Sequence, residues 1–577
     1  MGTNAHNLIA FRALSLSDSV SDLDSLQHRT LLLGPLPILR HLSFRLRLRE
    51  TLAAHLPASS ATRLPPADAL LLLTENILLS RVPLYALSEW AAPYRPETLG
   101  LTIEEMAVLN DDRAARALDV LFDTDRASLL TEVVVRAVRE FQVDLDRVHN
   151  DSTTLTLQGA YQRADGRTMR GKRTVRAAHG YNKDHRPDLK QLLAIYTVSG
   201  DGAVPVHYRT EDGNTNDSPT HRESWEAIHS LKGSAQFLYV ADSKLCSEDN
   251  VRYIDGMGGR FLTVLPRTRK EDALFREHVA DHELPWETVR RRPNPRRQEG
   301  LPDVWKAVES PIPAGDGFRL IWVWSSLMAE EDREAREAKI ATALERIEEL
   351  EGRLRSPKTK LRSRVAVEKA VGTAARWLTV RVSEELVAEY RQEKRGRPGK
   401  ETRYVRREKV RHHAAASPKE EVIAREAKSD GMFPLLTNDR TMSRKDLLEA
   451  YRYQPRLEKR FMQMKTVYEA APMLLKRPDR MEALCFVYFL VMLMEALVER
   501  EVRRGMAKEE RKSLPLYPEG RACPAPTTDF ILGEFDRVAI HQLIREGKVV
   551  KEFKAELTDR QRELLRLAGV PEEAYRT

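Results

Sequence analysis

Three acidic residues lie at positions where clustered carboxylates can do chemistry. Asp151 lies inside the β-branched run RVHNDSTTLTLQGAY, Asp242 directly follows the apolar run FLYVA, and Glu458 lies in a helical pattern further along the chain. Clustered carboxylates repel one another unless cations bind them, and their hard oxygen atoms suit Mg²⁺ or Mn²⁺. Two such ions can activate an attacking water or hydroxyl in phosphodiester chemistry. Each residue alone is also explained as a turn residue, a helix cap or a solvated charge, so spacing alone does not establish a triad.

The elements that must position these residues predict an α/β core. Period-two and β-branched patterns favour strands, and the Gly-Asp-Gly turn at Gly200–Gly202 favours a hairpin between two of them. In such a sheet the first and fourth strands can be central neighbours, which would bring Asp151 and Asp242 together. The predicted strands are 147–161, two runs either side of Gly200–Gly202, 237–241, the run GRFLTVLPR, FRLIWVWSS and 432–437. The predicted helices include 218–229, the run NVRYIDGMG, one that begins at Ser443 and carries Glu458, and a buried one over 483–494.

Shifts in pattern along the chain divide it into five parts. The boundaries follow the change from helical to strand patterns near residue 144 and the long charged stretch after Pro266. The predicted parts are a helical N-terminal domain at 1–143, to which we assign DNA-end binding, the first part of the catalytic core at 144–266, an insertion with a Trp-rich strand and charged helices at 267–430, the last strand and catalytic helix at 431–510, and a C-terminal segment at 511–577.

Composition narrows the class of protein. The 577 residues include 94 Lys plus Arg and 86 Asp plus Glu, a net charge of +8, with 42% hydrophobic residues. This content excludes a wholly disordered chain, and the mild basicity permits a nucleic-acid partner. The three Cys residues are too scattered for a disulfide framework or a zinc site. No signal-peptide pattern opens the chain, and the apolar run at 483–494 is too short to span a bilayer. We therefore expect an intracellular protein.

Five segments together resemble the DDE transposases of bacterial insertion sequences. They are HNDSTTLTLQGAY, DHRPDLKQL, DGNTNDSPTH, FLYVADSKLC and GRFLTVLPRTRKED. In YRYQPRLEKRFMQMK, Tyr451, Glu458 and Lys465 follow one another at intervals of seven. That spacing is similar to the Tyr-Arg-Glu-Lys signature of one large branch of these transposases. The resemblance implies an α/β fold with an RNase H-like mixed sheet flanked by helices, a large insertion before the last catalytic helix, and a helical N-terminal domain.

The resemblance also implies roles for individual residues. Asp151, Asp242 and Glu458 would be the catalytic, metal-binding triad for two Mg²⁺ ions, with Mn²⁺ as a substitute, and Tyr451 and Lys465 would contact DNA phosphate. Seven residues turn an α-helix by about 700°, close to two full turns, so a continuous helix would place all three signature residues on one face. Gln454 stands where the signature has Arg. It is therefore expected to make a neutral phosphate contact or to weaken the binding of DNA ends.

Other segments are candidates for DNA contact. The stretch 162–190 holds nine Lys or Arg and three Asp, among them Arg170, Lys172 and Arg173, and a solvated loop is the alternative. Lys244 either reaches phosphate or balances the local acids. The basic run from Lys394 to His413 either tracks DNA or is a solvated helix end. Trp322 and Trp324 share one strand face, where a place in the core is the simpler explanation and stacking on a flipped base the other.

These observations lead to one predicted function. The protein would bind the inverted repeats of its own insertion sequence, hydrolyse phosphodiester bonds with the help of metal ions, and carry out strand transfer. Its partners would be double-stranded DNA at the element ends and at the target, and a second copy in a homodimer, in the bacterial cytoplasm at the nucleoid. No membrane or nucleotide cofactor is expected, since GRPGKET lacks the gap of a phosphate-binding loop.

Two alternatives remain open at this stage. The first is a catalytically impaired or repurposed transposase-derived DNA-binding protein, which Gln454 favours. The second is a structural coiled-coil protein, because Ile340, Leu344, Ile347 and Leu354 lie on one face of a predicted helix.

Overall fold

The computed structural model describes residues 26–58, 62–294, 301–354, 363–471 and 473–576. The first 25 residues of the predicted N-terminal domain lie outside this part of the chain. The chain forms two compact units, each described here by itself. Unit 1 is Met1–Val240, Met257–Gly259 and Tyr453–Thr577, and unit 2 is Ala241–Gly256 and Arg260–Arg452.

The N-terminal part of unit 1 is helical, as the sequence predicts. Its helices bury leucine-rich faces, and α3 is buried over almost its whole length. Its first element departs from the prediction because it is a strand. The elements are β1 (Leu26–Leu32), α1 (Leu36–Arg45), α2 (Leu48–His55), α3 (Pro66–Leu79), α4 (Leu87–Ala91), α5 (Ile103–Ala107), α6 (Asp111–Asp123) and α7 (Arg126–Phe141).

The strands that follow in unit 1 form the sheet that carries Asp151. They lie in the order β6-β5-β2-β7, with β5 antiparallel to both β2 and β6. The predicted hairpin is confirmed as β5 and β6. The prediction that the first and fourth strands are neighbours is also confirmed, because β2 lies beside β7. The elements are β2 (Arg147–Leu157), β3 (Thr168–Met169), β4 (Lys172–Arg173), β5 (Lys190–Ser199), β6 (Pro205–Glu211), α8 (Asp217–Lys232) and β7 (Leu238–Ala241).

Unit 2 contains an antiparallel set of strands in the order β8-β14-β11-β10-β9. The strands predicted in GRFLTVLPR, in FRLIWVWSS and at 432–437 are confirmed as β8, β11 and β14. The elements are α9 (Glu248–Gly256), β8 (Arg260–Val264), α10 (Lys270–Asp281), β9 (Glu287–Arg292), β10 (Asp303–Glu309), β11 (Arg319–Ser325), α11 (Ser326–Leu354), α12 (Ser363–Val371), β12 (Leu378–Gln392), β13 (Tyr404–Pro418), α13 (Glu420–Ala427), β14 (Met432–Thr437) and α14 (Arg444–Tyr451).

The basic run from Lys394 to His413 belongs to a long antiparallel hairpin of β12 and β13, and not to a helix end. Its partners run from Leu378 opposite Pro418 to Gln392 opposite Tyr404. The signal lies just before the basic run, where LTVRVSEELVAEYRQ places apolar residues at every second position from Leu378 to Tyr390, except at Glu384. The charges within this stretch obscured the period-two pattern.

The apolar seam of α11 packs within unit 2. Ile340, Ile347 and Leu354 are buried against α12 and the base of the β12–β13 hairpin, and Leu344 packs at the edge of the same cluster. These short neighbours leave no parallel partner helix along the seam in the described part of unit 2. The coiled-coil interpretation is therefore wrong.

The C-terminal part of unit 1 begins with the helix that carries Glu458. The two short helices predicted in the tail are present as α17 and α18, but the tail also contains strands that the sequence analysis missed. One of these, β17, pairs with β1 across more than 500 residues of sequence and with β18. The elements are α15 (Gln454–Met462), α16 (Pro478–Lys508), β15 (Leu514–Tyr517), β16 (Arg521–Cys523), α17 (Thr528–Gly533), β17 (Ala539–Arg545), β18 (Lys548–Phe553) and α18 (Asp559–Ala568).

One helix in the described residues, α16, is long and apolar enough to cross a membrane, and the bent pair α3 and α4 would pass the same test together. The apolar window of α16 is 94% buried inside the protein. Such burial is that of a core helix, so the prediction of a buried helix over 483–494 is confirmed. In unit 1, α16 packs against α3, α6, α18 and β6.

Candidate active site

Asp151 lies on β2, between β5 and β7 in the sheet of unit 1. Its side chain is 14% exposed, and one carboxylate oxygen accepts hydrogen bonds from the Ser152 backbone N–H (2.7 Å) and from Lys183 Nζ (3.1 Å). The Lys183 ammonium also lies 3.8 Å from a carboxylate oxygen of Asp217. Ser152 Oγ donates to the same Asp217 oxygen at 2.8 Å. Two carboxylates thus share one lysine ammonium at this position.

Asp242 follows β7 directly and belongs to unit 2. Its carboxylate accepts the backbone N–H of Lys244 (3.0 Å), so it caps a short 3₁₀ turn at Ser243–Cys246. Its carbonyl oxygen accepts the hydroxyl of Thr263 on β8 (2.6 Å). These bonds fix the backbone on both sides of the carboxylate. Asp242 therefore acts as a helix cap. The same carboxylate lies at a strand end, where the resemblance leads us to expect a metal ligand.

Glu458 lies on the exposed face of α15. On the opposite face Leu457, Phe461 and Arg460 are buried. Arg460 forms ion pairs with Glu495 (3.0 Å) and Glu499 (2.8 Å) of α16. These contacts hold α15 against α16, while Glu458 itself has no hydrogen-bond or ion-pair partner among the described residues.

The helix that carries the signature is not continuous. Tyr451 ends α14, Arg452 and Tyr453 interrupt the helix, and Gln454 begins α15. The reason is Pro455, which has no N–H and whose ring clashes with the carbonyl four residues earlier, so it is accepted only in a first helical turn. The prediction of one continuous helix from Ser443 through Glu458 is wrong, because Tyr451 and Glu458 lie on two successive helices.

Gln454 is buried, and its amide group is used inside unit 1. Its nitrogen donates to the carbonyl of Asn150 (2.9 Å), and its oxygen lies 3.1 Å from His149 Nδ1. Burial lowers the pKa of His149 to about 3, so the ring is neutral and its Nδ1–H donates to the amide oxygen. Gln454 thus ties α15 to β2 next to Asp151. This position does not support the predicted phosphate contact, because both ends of the amide already have internal partners.

The remaining signature residues lie at the ends of other elements. Tyr451 is half-buried, with its ring 6.0 Å from that of Phe433. Lys465 lies in a π-helical turn at Gln463–Val467 and forms an ion pair with Asp184 (2.6 Å). Lys244 is exposed beside Asp242. Their predicted contacts with DNA phosphate stay predictions.

The basic stretch 162–190 uses most of its charge inside unit 1. Arg170 bridges Asp123 (2.6 Å) and Asp479 (2.8 Å), and Lys172 Nζ donates to three carbonyls at the end of α6 at 2.6–3.1 Å. Arg173 pairs with Asp212 at 2.5 Å. The structure therefore gives these three cations structural partners, and it does not support their assignment to DNA phosphate.

Trp322 belongs to the core of unit 2. Its ring stacks on Phe275 at a centroid distance of 3.7 Å and is fully buried. It therefore cannot stack on a flipped base without unfolding this cluster, and the core explanation is correct for it. Trp324 is half-buried, with Lys306 Nζ 5.0 Å above its ring.

The chemistry of the donor set fits a hard divalent cation. Asp151, Asp242 and Glu458 offer carboxylate oxygens, which are the hard donors that Mg²⁺ and Mn²⁺ prefer. Among those residues no group of three or more His, Cys, Asp or Glu side chains is arranged to hold a metal ion. The Lys183 ammonium beside Asp151 supplies a positive charge at this position.

Sequence reasoning missed Lys183 and Asp217 as members of this site. Lys183 is one of nine cations in the basic stretch, and Asp217 lies directly before the helix predicted at 218–229. Neither residue has a spacing that points to Asp151. Their contact depends on the fold of residues 162–190 back onto β2, which local patterns do not encode.

Comparison with known proteins gives two family matches. The family described as "Transposase DDE domain" matches residues 147–494, and one described as "Domain of unknown function (DUF4277)" matches residues 29–135. A search of curated proteins gives no significant match.

Among solved structures, the chain is similar to a piggyBac transposase synaptic complex with hairpin DNA, at a TM-score of 0.33 and 8% identity, covering 82% of this chain and 78% of that one. It is also similar to a Mos1 transposase paired-end complex with left transposon end, at a TM-score of 0.14 and 9% identity, covering 36% of this chain and 60% of that one.

Proposed function

Because the chain belongs to the transposase family with a DDE domain, we propose that it binds the inverted repeats of its own insertion sequence and cuts and joins DNA there. The observation that carries this proposal is the family match over residues 147–494, which includes Asp151, Asp242 and Glu458. The first lies on a central strand, the second at a strand end and the third on an exposed helix face. The proposal of a shared catalytic role rests on the family match that includes all three.

In this proposal Asp151, Asp242 and Glu458 hold two Mg²⁺ ions, for which Mn²⁺ can substitute. When bound, such ions lower the pKa of an attacking water and stabilise the leaving oxygen of a phosphodiester. The chain's own residues position the ligands. Lys183 and Ser152 orient Asp151, and the 3₁₀ turn after Asp242 orients that carboxylate. Lys244, Lys465 and Tyr451 would contact DNA phosphate.

The proposed reaction has two steps. Hydrolysis of a phosphodiester at the element end leaves a 3′-hydroxyl, and that hydroxyl then attacks a target phosphodiester and releases the target's own 3′-hydroxyl. The first step consumes one water, and the second exchanges one phosphodiester for another. Neither step requires ATP or a covalent enzyme intermediate, so no nucleotide cofactor is expected.

The assembly follows from the substrate. Two element ends must be held together for joining, so we propose a homodimer on DNA, acting in the bacterial cytoplasm at the nucleoid. Mass photometry of the protein with and without element-end DNA measures this directly. A complex with two chains and two DNA ends is expected, and a complex that stays at one chain would overturn the dimer.

Conservative substitution of each carboxylate tests the catalytic proposal. Asp151→Asn, Asp242→Asn and Glu458→Gln should each lower the rate of element-end cleavage in Mg²⁺ by at least about 100-fold, with DNA affinity retained. The matched control is Asp249→Asn, which removes an exposed carboxylate on α9 and should leave cleavage unchanged. Normal cleavage by Asp242→Asn would show that the chemistry is carried elsewhere.

A second candidate is a DNA-binding protein that descends from a transposase and no longer cleaves. Two observations favour it. Gln454 replaces the Arg of the signature and is buried, and no three-carboxylate metal cluster is formed within the described residues. Tight binding of element-end DNA without cleavage in either Mg²⁺ or Mn²⁺ would support this candidate over the first.

A further inference from the structure

The longest hairpin of unit 2 has a base in the core and an exposed outer part. β12 and β13 pair over 15 residues each, which corresponds to about 50 Å of extended chain. At the base, Leu378 and Ala414 are buried with α11 and α12. Beyond the base nearly every residue is half or fully exposed. We call Leu378–Pro418 the hairpin arm.

The end of the arm is strongly basic. Residues 394–403, which we call the arm tip, hold five cations and one acid, Glu401. All five cations are exposed, and none forms an ion pair with a described residue. They are Lys394, Arg395, Arg397, Lys400 and Arg403.

Some cations nearer the base of the arm have ion-pair partners on the arm itself. Lys409 pairs with Glu389 at 3.0 Å, and Arg391 pairs with the same carboxylate at 3.3 Å. Arg406 pairs with Glu408 at 3.3 Å. Arg381, Arg407 and Arg411 also form no ion pair with a described residue, but they are spread along the arm, so the unpaired cations are densest at the tip.

We propose that the arm tip binds the phosphate backbone of duplex DNA. Exposed Lys and Arg side chains gain affinity for DNA by releasing counterions from phosphates, without reading sequence. The shape is also suitable, because a two-stranded β-ribbon fits the major groove of B-DNA, which is about 12 Å wide. The inference rests on the proposed function, and it adds a DNA contact in unit 2 outside the catalytic residues.

One face of the arm offers a rival surface. Leu386 and Val410 are directly opposite each other, and Tyr390 and Tyr404 follow toward the tip on the same face. All four are at least half exposed, from 50% for Val410 to 69% for Leu386. A second copy of the chain is the rival occupant of this face. The unpaired charge of the tip favours DNA, and the experiment below separates the two occupants.

Charge removal at the tip is the test. The variant carries R395Q, R397Q and K400Q, and the matched control carries K548Q, K551Q and K554Q, three exposed lysines on and just after β18. Both variants lose three positive charges. Fluorescence anisotropy then gives the affinity for DNA from the flanks of the gene and for unrelated DNA of equal length, over a range of salt concentrations. Sedimentation velocity without DNA reports association between copies.

The tip variant should bind both DNAs at least about tenfold more weakly than wild type at physiological salt, and its log-affinity against log-salt slope should be smaller by about two to three. The control should stay close to wild type. Equal affinity and slope for the tip variant and wild type would overturn the inference. If that variant instead loses self-association while it keeps DNA affinity, the arm joins copies of the chain.

Failure of the inference is distinguishable from failure of the proposed function. If wild type binds and cleaves element-end DNA but the tip variant is unimpaired, only the arm is wrong. If wild type binds no DNA, both are wrong. Single variants R397Q and K400Q, each expected to lower the slope by about one, guard against a misfolded triple variant, which circular dichroism would also reveal.

Discussion

Two segments of this chain are both rich in Lys and Arg, but the cations of one have partners within the fold and the cations of the other do not. The stretch 162–190 holds nine cations and three Asp, and the arm tip at 394–403 holds five cations and one Glu. In the first segment Arg170, Lys172 and Arg173 are bound to acids or carbonyls of unit 1. In the second no cation has a described partner.

The difference teaches that the number of cations in a segment does not indicate a DNA surface. An ion pair that forms within the fold neutralises the charge that counterion release would use. The stretch 162–190 lies beside acids supplied by α6, α16 and the residues after β6, whereas the outer part of the arm has only its own strands as neighbours. Cations with internal partners should therefore affect stability, and cations without them should affect binding.

The largest effect on stability is expected where a cation is fully buried. Arg460 and its partners Glu495 and Glu499 are at most 4% exposed. Arg460→Met would leave Glu495 buried without a counter-charge and should lower the free energy of unfolding by about 3–5 kcal/mol. Arg456→Met, on the exposed face of α15, is the control. Urea denaturation measures both, and a loss below about 1 kcal/mol for Arg460→Met would contradict the assignment.

The same site predicts a pH dependence. Burial raises the pKa of Glu495 from 4.5 to about 7. The stability that this residue contributes is therefore fully present below its ordinary pKa and is lost as the pH rises through about 7. Arg460 opposes the rise, so in Arg460→Met the loss should extend to higher pH. Unfolding curves from pH 4.5 to 8.5 measure it, and identical profiles for both proteins would argue against this coupling.

A smaller loss is expected within the basic stretch itself. Arg170 reaches Asp479, whose side chain is fully buried and which keeps a second partner in Arg477. Arg170→Met should lower the free energy of unfolding by about 1–3 kcal/mol without changing the DNA affinity of the folded protein. Arg163→Met, an exposed cation of the same stretch, serves as the control. If Arg170→Met instead weakened DNA binding and left stability unchanged, Arg170 would be a DNA contact and the structural assignment would be wrong.

Much of the fold could be predicted because its signals are local. A few neighbouring residues are enough to predict the strand around Asp151, the turn at Gly200–Gly202 and the apolar helix α16. The pairing of β1 with β17 could not be predicted, since nothing near Leu26–Leu32 indicates a partner at Ala539–Arg545. The break before Gln454 was predictable from Pro455, but the helical spacing of the signature concealed it.

The candidate site could be predicted only in part, because some of its contacts join residues far apart in the sequence. Resemblance to a family supplied Asp151, Asp242 and Glu458, and residue patterns supplied the elements that hold them. The neighbours of Asp151 depend on long-range folding. Lys183 arrives from a loop, and Gln454, expected to face DNA, instead bonds to His149 and the Asn150 carbonyl.

Lys183 lies between the two classes of cation, because its internal partners include Asp151, a proposed metal ligand. Its ammonium, 3.1 Å from an Asp151 carboxylate oxygen, would repel a divalent ion bound there. Lys183→Met should therefore tighten Mn²⁺ binding by about three- to tenfold, roughly 0.7–1.4 kcal/mol, and lower the melting temperature of the metal-free protein. Calorimetric titration measures the affinity, with Lys190→Met as the control, since its ammonium contacts only a carbonyl among the described residues. Unchanged Mn²⁺ affinity in Lys183→Met would show that Lys183 does not compete with a metal ion for Asp151.

The smallest effect on stability is expected at the arm tip, and it completes the contrast. Because Arg395, Arg397 and Lys400 have no described partner, their replacement by Gln should change the free energy of unfolding by less than about 0.5 kcal/mol. Urea denaturation of the triple variant beside Arg170→Met measures this directly. A loss as large as that of Arg170→Met would mean that the tip cations support the fold, and the distinction between the two basic segments would then disappear.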